Sequence, residues 1–305
     1  NVESASIGVN LFVTGDNETP ILPNIDISSS ENGIVNLPDD VDSLFSNVAS
    51  RYTHIVAPNG DLIQFLIQDD FTVPQILHTR RVLESYLTDI PDTDWGSDKS
   101  NIAIAMASSN AIMFLLNDED EYENPYIWDI FDSGVNGQDL LAIEVFPEGS
   151  SEYMNSTERD ATYEEVLHFM HGYGVQLALP TMQNAIESAM LNAINNDVYN
   201  PLSDLPEDDF DEEYFAMGLE CYFGLWAHDP NGDGFCGDQE YAFITREAMA
   251  IGDSALFAII NGFFGEAWEY TAVLPQDFNS NFFMKNQEGL DYTYRSQYLK
   301  NIETS

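Results

Sequence analysis

The residues best placed to do chemistry lie in one stretch, "TYEEVLHFMHGYG", from Thr162 to Gly174. On a helix, Glu164 and His168 stand at i and i+4 and share a face. His171 follows at i+7, and all three point within roughly 60° of one another. The spacing is that of H-E-x-x-H, where two imidazoles hold an ion and the intervening Glu activates a bound water. Here Glu164 occupies the place of the first His, and Glu165 occupies the place of the base. Three readings are open: an active metallohydrolase, a metal-holding helix without peptidase activity, and a structural helix whose Glu and His are satisfied by neighbours.

Exchanging an imidazole for a carboxylate keeps a donor and adds negative charge. Such a set binds Zn²⁺ less selectively, lowers its Lewis acidity, and accepts harder ions such as Mn²⁺, Fe²⁺ or Ca²⁺. Glu165 and His168 also form E-x-x-H, but a di-iron bundle needs that motif twice, and the chain has no second copy.

A second constellation is "DPNGDGFCGDQE", Asp229 to Glu240. It satisfies D-x-[DN]-x-D-G-x5-E. Asp229, Asn231 and Asp233 supply oxygens, Gly234 turns the chain, Phe235 offers its carbonyl, and Glu240 closes the set bidentately. Oxygen donors at this spacing suit Ca²⁺. Helices are expected on both sides, and a single, structural EF-hand-type site follows, since no second loop is found. The two cysteines, Cys221 and Cys236, fit one disulfide fastening the loop to the preceding helix, or else two buried thiols.

Fifty-three acidic residues against nine basic ones give a formal charge of −44. Phosphates repel such a chain, so nucleic acid and anionic membranes are excluded as partners. Screening salt or divalent cations relieve the self-repulsion, which points to a saline or calcium-rich setting. With 44% hydrophobic and 12% aromatic residues the chain has the composition of a packed core. No apolar run is long enough to cross a bilayer. A start at Asn1 fits a removed signal peptide, and equally a trimmed chain. The sequons at Asn17 and Asn155 would accept glycans on a eukaryotic secretory route. The acidic runs "NDEDEYEN" and "PEDDFDEE" read as solvated faces.

The elements that must position these residues follow from periodicity. Residues 1–50 read as a loop-rich segment with one strand in "IGVNLFVTG". His54 to Ala57 and Leu62 to Gln68 form a hairpin around Pro58-Asn-Gly. A helix runs from about Pro74 to Leu87. "NIAIAM" (Asn101 to Met106), "AIMFLL" (Ala111 to Leu116) and "DLLAIEVF" (Asp139 to Phe146) read as strands. Then come helices from about Asp160 to His171, stopped by Gly172 and Gly174, then Thr181 to Ile194, Glu212 to Ala227, and a long one from Gln239 to Gly262. Strands first and helices second make an α+β fold, with residues 51–305 as its main domain.

Two resemblances bear on this pattern. "DEEYFAMGLECYF", Asp211 to Phe223, resembles the E-[FY]-F-A-x-x-[FL] helix of the lethal-factor-like zincins, in which a Glu completes the zinc site; the matching residue is Glu213. The chain is also similar to a group of uncharacterised secreted proteins of marine organisms that share stretches like "IVAPNG", "HTRRVLESYL", "RDATYEEVLH" and "EEYFAMGLECYFG…HDPNGDG". That similarity implies that the Glu-Glu-x-x-His form is a type of its own, and it brings no activity with it. The expectation is a secreted, calcium-binding, zincin-like protein: a small mixed sheet followed by a helical half carrying the calcium loop. Its ligands would be Glu164, His168 and Glu213, for Zn²⁺ or another divalent metal, with Glu165 as the base of a metallopeptidase acting on a peptide or protein. The alternative is an inactive extracellular structural, surface or filament protein that self-assembles with calcium.

Overall fold

The computed structural model describes residues 19–145, 160–226, 229, 231–237, 239–265, 268–270 and 284–286. The strand expected in "IGVNLFVTG" and both sequon asparagines, Asn17 and Asn155, lie outside these residues.

The fold is α+β. A five-stranded mixed sheet runs in the order β1 (Val35–Asn36), β2 (Arg51–Val56), β3 (Leu62–Ile67), β4 (Ile112–Leu116), β5 (Gly137–Leu141). The first two pairings are antiparallel and the last two parallel. Strand β4 is apolar throughout and β3 at all but Gln64, which accepts from Tyr52 Oη (2.8 Å), because both faces of the sheet are covered. Phe65, Ile67, Met113 and Leu115 point into one core, whereas Leu66, Ile112, Phe114 and Leu116 point into the other. The second core is closed by Leu22, Ile25 and Phe45 from the N-terminal segment, including α1 (Ser43–Ser46), and by Ile127 and Ile130 of α4 (Pro125–Asp132).

The first core lies under α2 (Val73–Tyr86), α3 (Ser100–Ser108) and α5 (Thr162–Met170), and it continues into α6 (Pro180–Asn195), α7 (Phe210–Phe223), α8 (Arg246–Gly252) and α9 (Ser254–Phe264). A separate antiparallel pair, β6 (Trp268–Tyr270) and β7 (Met284–Asn286), follows.

Three expected elements differ: the strand expected from Asp139 to Phe146 ends at Leu141, and Ala142–Glu144 turn as a 3-10 helix. "NIAIAM" is not a strand but part of α3, where Ile102, Ala103, Met106 and Ala107 are buried. That is helical spacing in an Ala-rich segment, and a short apolar run looks alike in either state. The long helix expected from Gln239 is two helices, and it starts later. Residues around Tyr241 pair with other chain segments instead: Asn200 N donates to Glu240 O (2.7 Å) and Ala242 N to Val198 O (2.9 Å). Thr245 then caps α8, and Asp253 caps α9 by accepting from Leu256 N. The benzyl ring of Phe243 lies where a Cβ on Gly252 would stand.

Candidate metal centre

Helix α5 is held at its start by a buried pair. Asp160 Oδ1 accepts from Thr162 N (3.1 Å), and its Oδ2 meets His78 Nε2 of α2 at 2.7 Å. Tyr86 Oη donates to Tyr163 O (2.9 Å), a second tie to α2. Every residue of α5 is buried, so its carboxylates and imidazole face protein rather than water. Helix α7 opens with Asp211, Glu212 and Glu213, and acidic side chains are favoured at a helix N-terminus. It ends at Gly224, whose φ of 75° suits only the left-handed region.

The two helices bring together the three residues expected as ligands. One donor atom each from Glu164, His168 and Glu213 lies within 4.8 Å of the others. His168 Nε2 is 3.9 Å from Glu213 Oε2 and makes no hydrogen bond, although the side chain is 3% exposed. Burial opposes the imidazolium, but the carboxylates of Glu213, Glu165 and Glu164 outweigh it and hold its pKa well above the usual range. Burial drives the Glu213 carboxyl up, to about 8, against the pull of His168. Glu164, Glu165 and Glu240 push in the same direction as burial. One imidazole thus faces an excess of carboxylates, which a divalent cation at their centre would neutralise. A nitrogen and two carboxylates form a donor set for Zn²⁺, Mn²⁺ or Fe²⁺.

Glu165 stands on the other side of the ring. Its Oε2 lies 3.7 Å from His168 Nδ1 and accepts from Gln138 Nε2 of β5 at 2.7 Å. Two further carboxyls surround it. Asp139 accepts from Tyr122 Oη (2.8 Å), and burial, then Glu165, pushes it up to about 7. Glu144 accepts from Leu141 N (3.2 Å), and burial, then Glu165, pushes it up to about 8. Nothing in the sequence singles out Gln138, Asp139 and Glu144 as site residues; the available signal is polar side chains in β5 and in the turn that follows it.

After α5 the backbone does not stop at Gly172 and Gly174. It widens into a π-helical turn, His171–Val175, and resumes as a short turn Gln176–Ala178. Gly174 has no room for a Cβ, which would come within 2.6 Å of Ile102. The wide turn lets Tyr173 Oη bond both Gly137 N (3.1 Å) and Gly137 O (3.0 Å), tying the ligand helix to β5.

Over Asp229 and residues 231–237, the segment expected to bind calcium forms a tight acidic turn. Asp229 Oδ1 accepts from Asp233 N (3.1 Å) and Gly234 N (3.3 Å), and Asp233 Oδ1 accepts from Phe235 N (3.0 Å). Asn231 and Asp233 are exposed, while Glu240 is buried with its carboxylate against Gly237. The flanking helices stand further off than a helix-loop-helix arrangement expects: α7 ends at Phe223 and α8 begins at Arg246. The loop is closed instead by the Cys236–Tyr241 bridge.

The expected disulfide is absent. Cys221 and Cys236 are buried thiols not joined to one another. Cys221 Sγ donates to Thr245 O (3.3 Å), whereas Cys236 Sγ lies 3.6 Å from Met217 Sδ and 3.6 Å from Glu220 Oε2. Cys236 therefore sits over Met217, one helical turn before Cys221.

No family model, curated protein or solved structure matches the chain. Among the described residues no helix is long and apolar enough to cross a membrane.

Proposed function

We propose that the protein is a secreted, calcium-stabilised metallohydrolase of zincin type, holding a divalent ion between Glu164, His168 and Glu213 and cleaving peptide bonds. The observation that carries the reading is the buried Nε2 of His168, without a hydrogen bond and aimed at Glu213. A bound ion supplies a Lewis acid and a more acidic water. With an ion held there, Glu165 would be the base for that water's proton, and Gln138 Nε2 donates to its carboxylate and holds it in place. The loop from Asp229 to Glu240 takes Ca²⁺ and steadies the end of α7. Its closing residue, Glu240, adds to the negative field on Glu213.

A second reading has its own support. Glu165 Oε2 is already engaged by Gln138 and faces His168 Nδ1. A carboxylate so placed orients a ligand imidazole, as it would in an inactive extracellular protein that uses metal and calcium for stability or assembly. Digestion of a mixed peptide library with Zn²⁺, Mn²⁺ or Ca²⁺ added singly separates the two. Cleavage lost in Glu165→Gln supports the hydrolase. No cleavage under any ion, with the fold intact, overturns it.

A further inference from the structure

We propose that His171 and Glu212 form a second divalent-cation position beside the first, so that the contact between α5 and α7 is a two-ion centre. The inference rests on the reading of Glu164, His168 and Glu213 as a metal site and extends it.

The same two helices repeat one arrangement. His168 Nε2 faces Glu213 Oε2 at 3.9 Å, and His171 Nδ1 faces Glu212 Oε1 at 4.0 Å. Successive acids of α7 meet successive histidines of the other helix, which lie about one turn apart. Neither facing nitrogen makes a hydrogen bond, and His171 is wholly buried.

The tautomer of His171 sharpens the point. Gln183 Nε2 donates to the carboxylates of Asp211 and Glu187, so the amide oxygen is the end turned to the ring. His171 Nε2 lies 2.7 Å from that oxygen and must carry the proton. With Nδ1 unprotonated, its lone pair faces Glu212 Oε1, which already accepts from Gln176 Nε2. Two acceptors face each other in a buried gap, which a cation fills with favourable contacts to both.

The position is also built and reachable. Gln176 Nε2 donates to Glu212 Oε1 (3.0 Å) and fixes the carboxylate. That same oxygen lies 3.1 Å from where a Cβ on Gly172 would stand, so glycine there keeps the approach open. The Glu212 side chain is 22% exposed, which leaves room for water as the remaining ligands. One imidazole and one carboxylate suit Zn²⁺, Co²⁺ or Mn²⁺ better than Ca²⁺.

The test is metal stoichiometry of the full chain, by equilibrium dialysis against Co²⁺ or Mn²⁺ with Ca²⁺ in excess to keep the loop filled. The expected result is two ions in the wild type and one in Glu212→Gln and in His171→Gln. With Mn²⁺, the wild type should show a spin-coupled signal that collapses to isolated-ion lines in Glu212→Gln. One ion in the wild type, retained in Glu212→Gln and lost in Glu213→Gln, overturns the second position and leaves the first standing. No ion in the wild type overturns both.

Discussion

Oε2 of Glu165 lies 3.7 Å from Nδ1 of His168, on the edge of the ring away from Glu213. The carboxylate is therefore placed against the imidazole, whereas the proposed hydrolase asks it to act on a bound water. Glu165→Gln separates the roles. The proposed hydrolase predicts turnover reduced at least about 100-fold, with metal affinity changed only a few-fold. An affinity loss of about 10–100-fold, with no wild-type turnover to lose, assigns the carboxylate to orienting His168. That result supports the non-enzymatic reading.

Glu240 rests its carboxylate against Gly237, which has a φ of 66°. A Cβ at that position would come within 2.6 Å of Glu240 Oε2. Gly237→Ala should therefore displace the closing ligand of the proposed calcium loop and strain the backbone by about 1–2 kcal/mol. Calcium titration should show weaker binding, and Asp229→Ala should abolish the response of the melting temperature to chelator. Unaltered calcium affinity in Gly237→Ala would mean that Glu240 does not close the loop.

Lys99 is fully buried, with Nζ bonded to Tyr86 O (2.9 Å) and 4.2 Å from the centre of the Phe263 ring. Burial pulls its pKa down to about 7, against the attraction of Asp89. In the unfolded chain the group titrates near about 10.4. Between those values the unfolded state holds a proton that the folded state lacks, so stability from this group rises with pH. Below about pH 7 its full penalty is present; above about pH 10.4 it is gone. Urea midpoints of wild type and Lys99→Met should thus converge from pH 7 toward pH 10, the lysine chain gaining on the order of a few kcal/mol. A difference independent of pH would contradict a proton lost on folding.

The two thiols give a simple check on the contact between α7 and the loop that follows it. Burial, more than the nearby Asp253 and Glu247, raises the Cys221 thiol far above its ordinary range, so its reactive thiolate is scarce. The native protein should resist thiol reagents, and the denatured, unreduced protein should react at two sulfurs. No reactive sulfur after denaturation would restore the Cys221–Cys236 bond.

Much of this was legible in the sequence, for identifiable reasons. The β2–β3 hairpin was marked by Pro58-Asn-Gly, and α7 by its apolar face. The i, i+4 spacing of Glu164 and His168 placed two donors on one helix, whereas Glu213 came only from the resemblance of "EEYFA" to a zincin helix. What escaped was set by tertiary contacts. Gly172 and Gly174 looked like a helix stop, yet the chain continues as a π turn because Tyr173 is bound by Gly137 and Gly174 abuts Ile102. The pairing of Glu240 and Ala242 with the chain at Val198 and Asn200 removed the start of a helix that periodicity alone supported. Gln138 and Asp139 gained meaning only once β5 lay against α5.

The central claim is that Glu164, His168 and Glu213 hold a divalent ion, and thermal melting under metal titration tests it most directly. With Ca²⁺ fixed, saturating Zn²⁺ or Mn²⁺ should raise the melting temperature of the wild type. A hundredfold excess over Kd stabilises by about 2.7 kcal/mol. His168→Ala and Glu213→Gln should lose most of that rise while retaining the response to Ca²⁺. An unchanged wild-type melting curve in every metal, or a full rise in His168→Ala, would contradict the account.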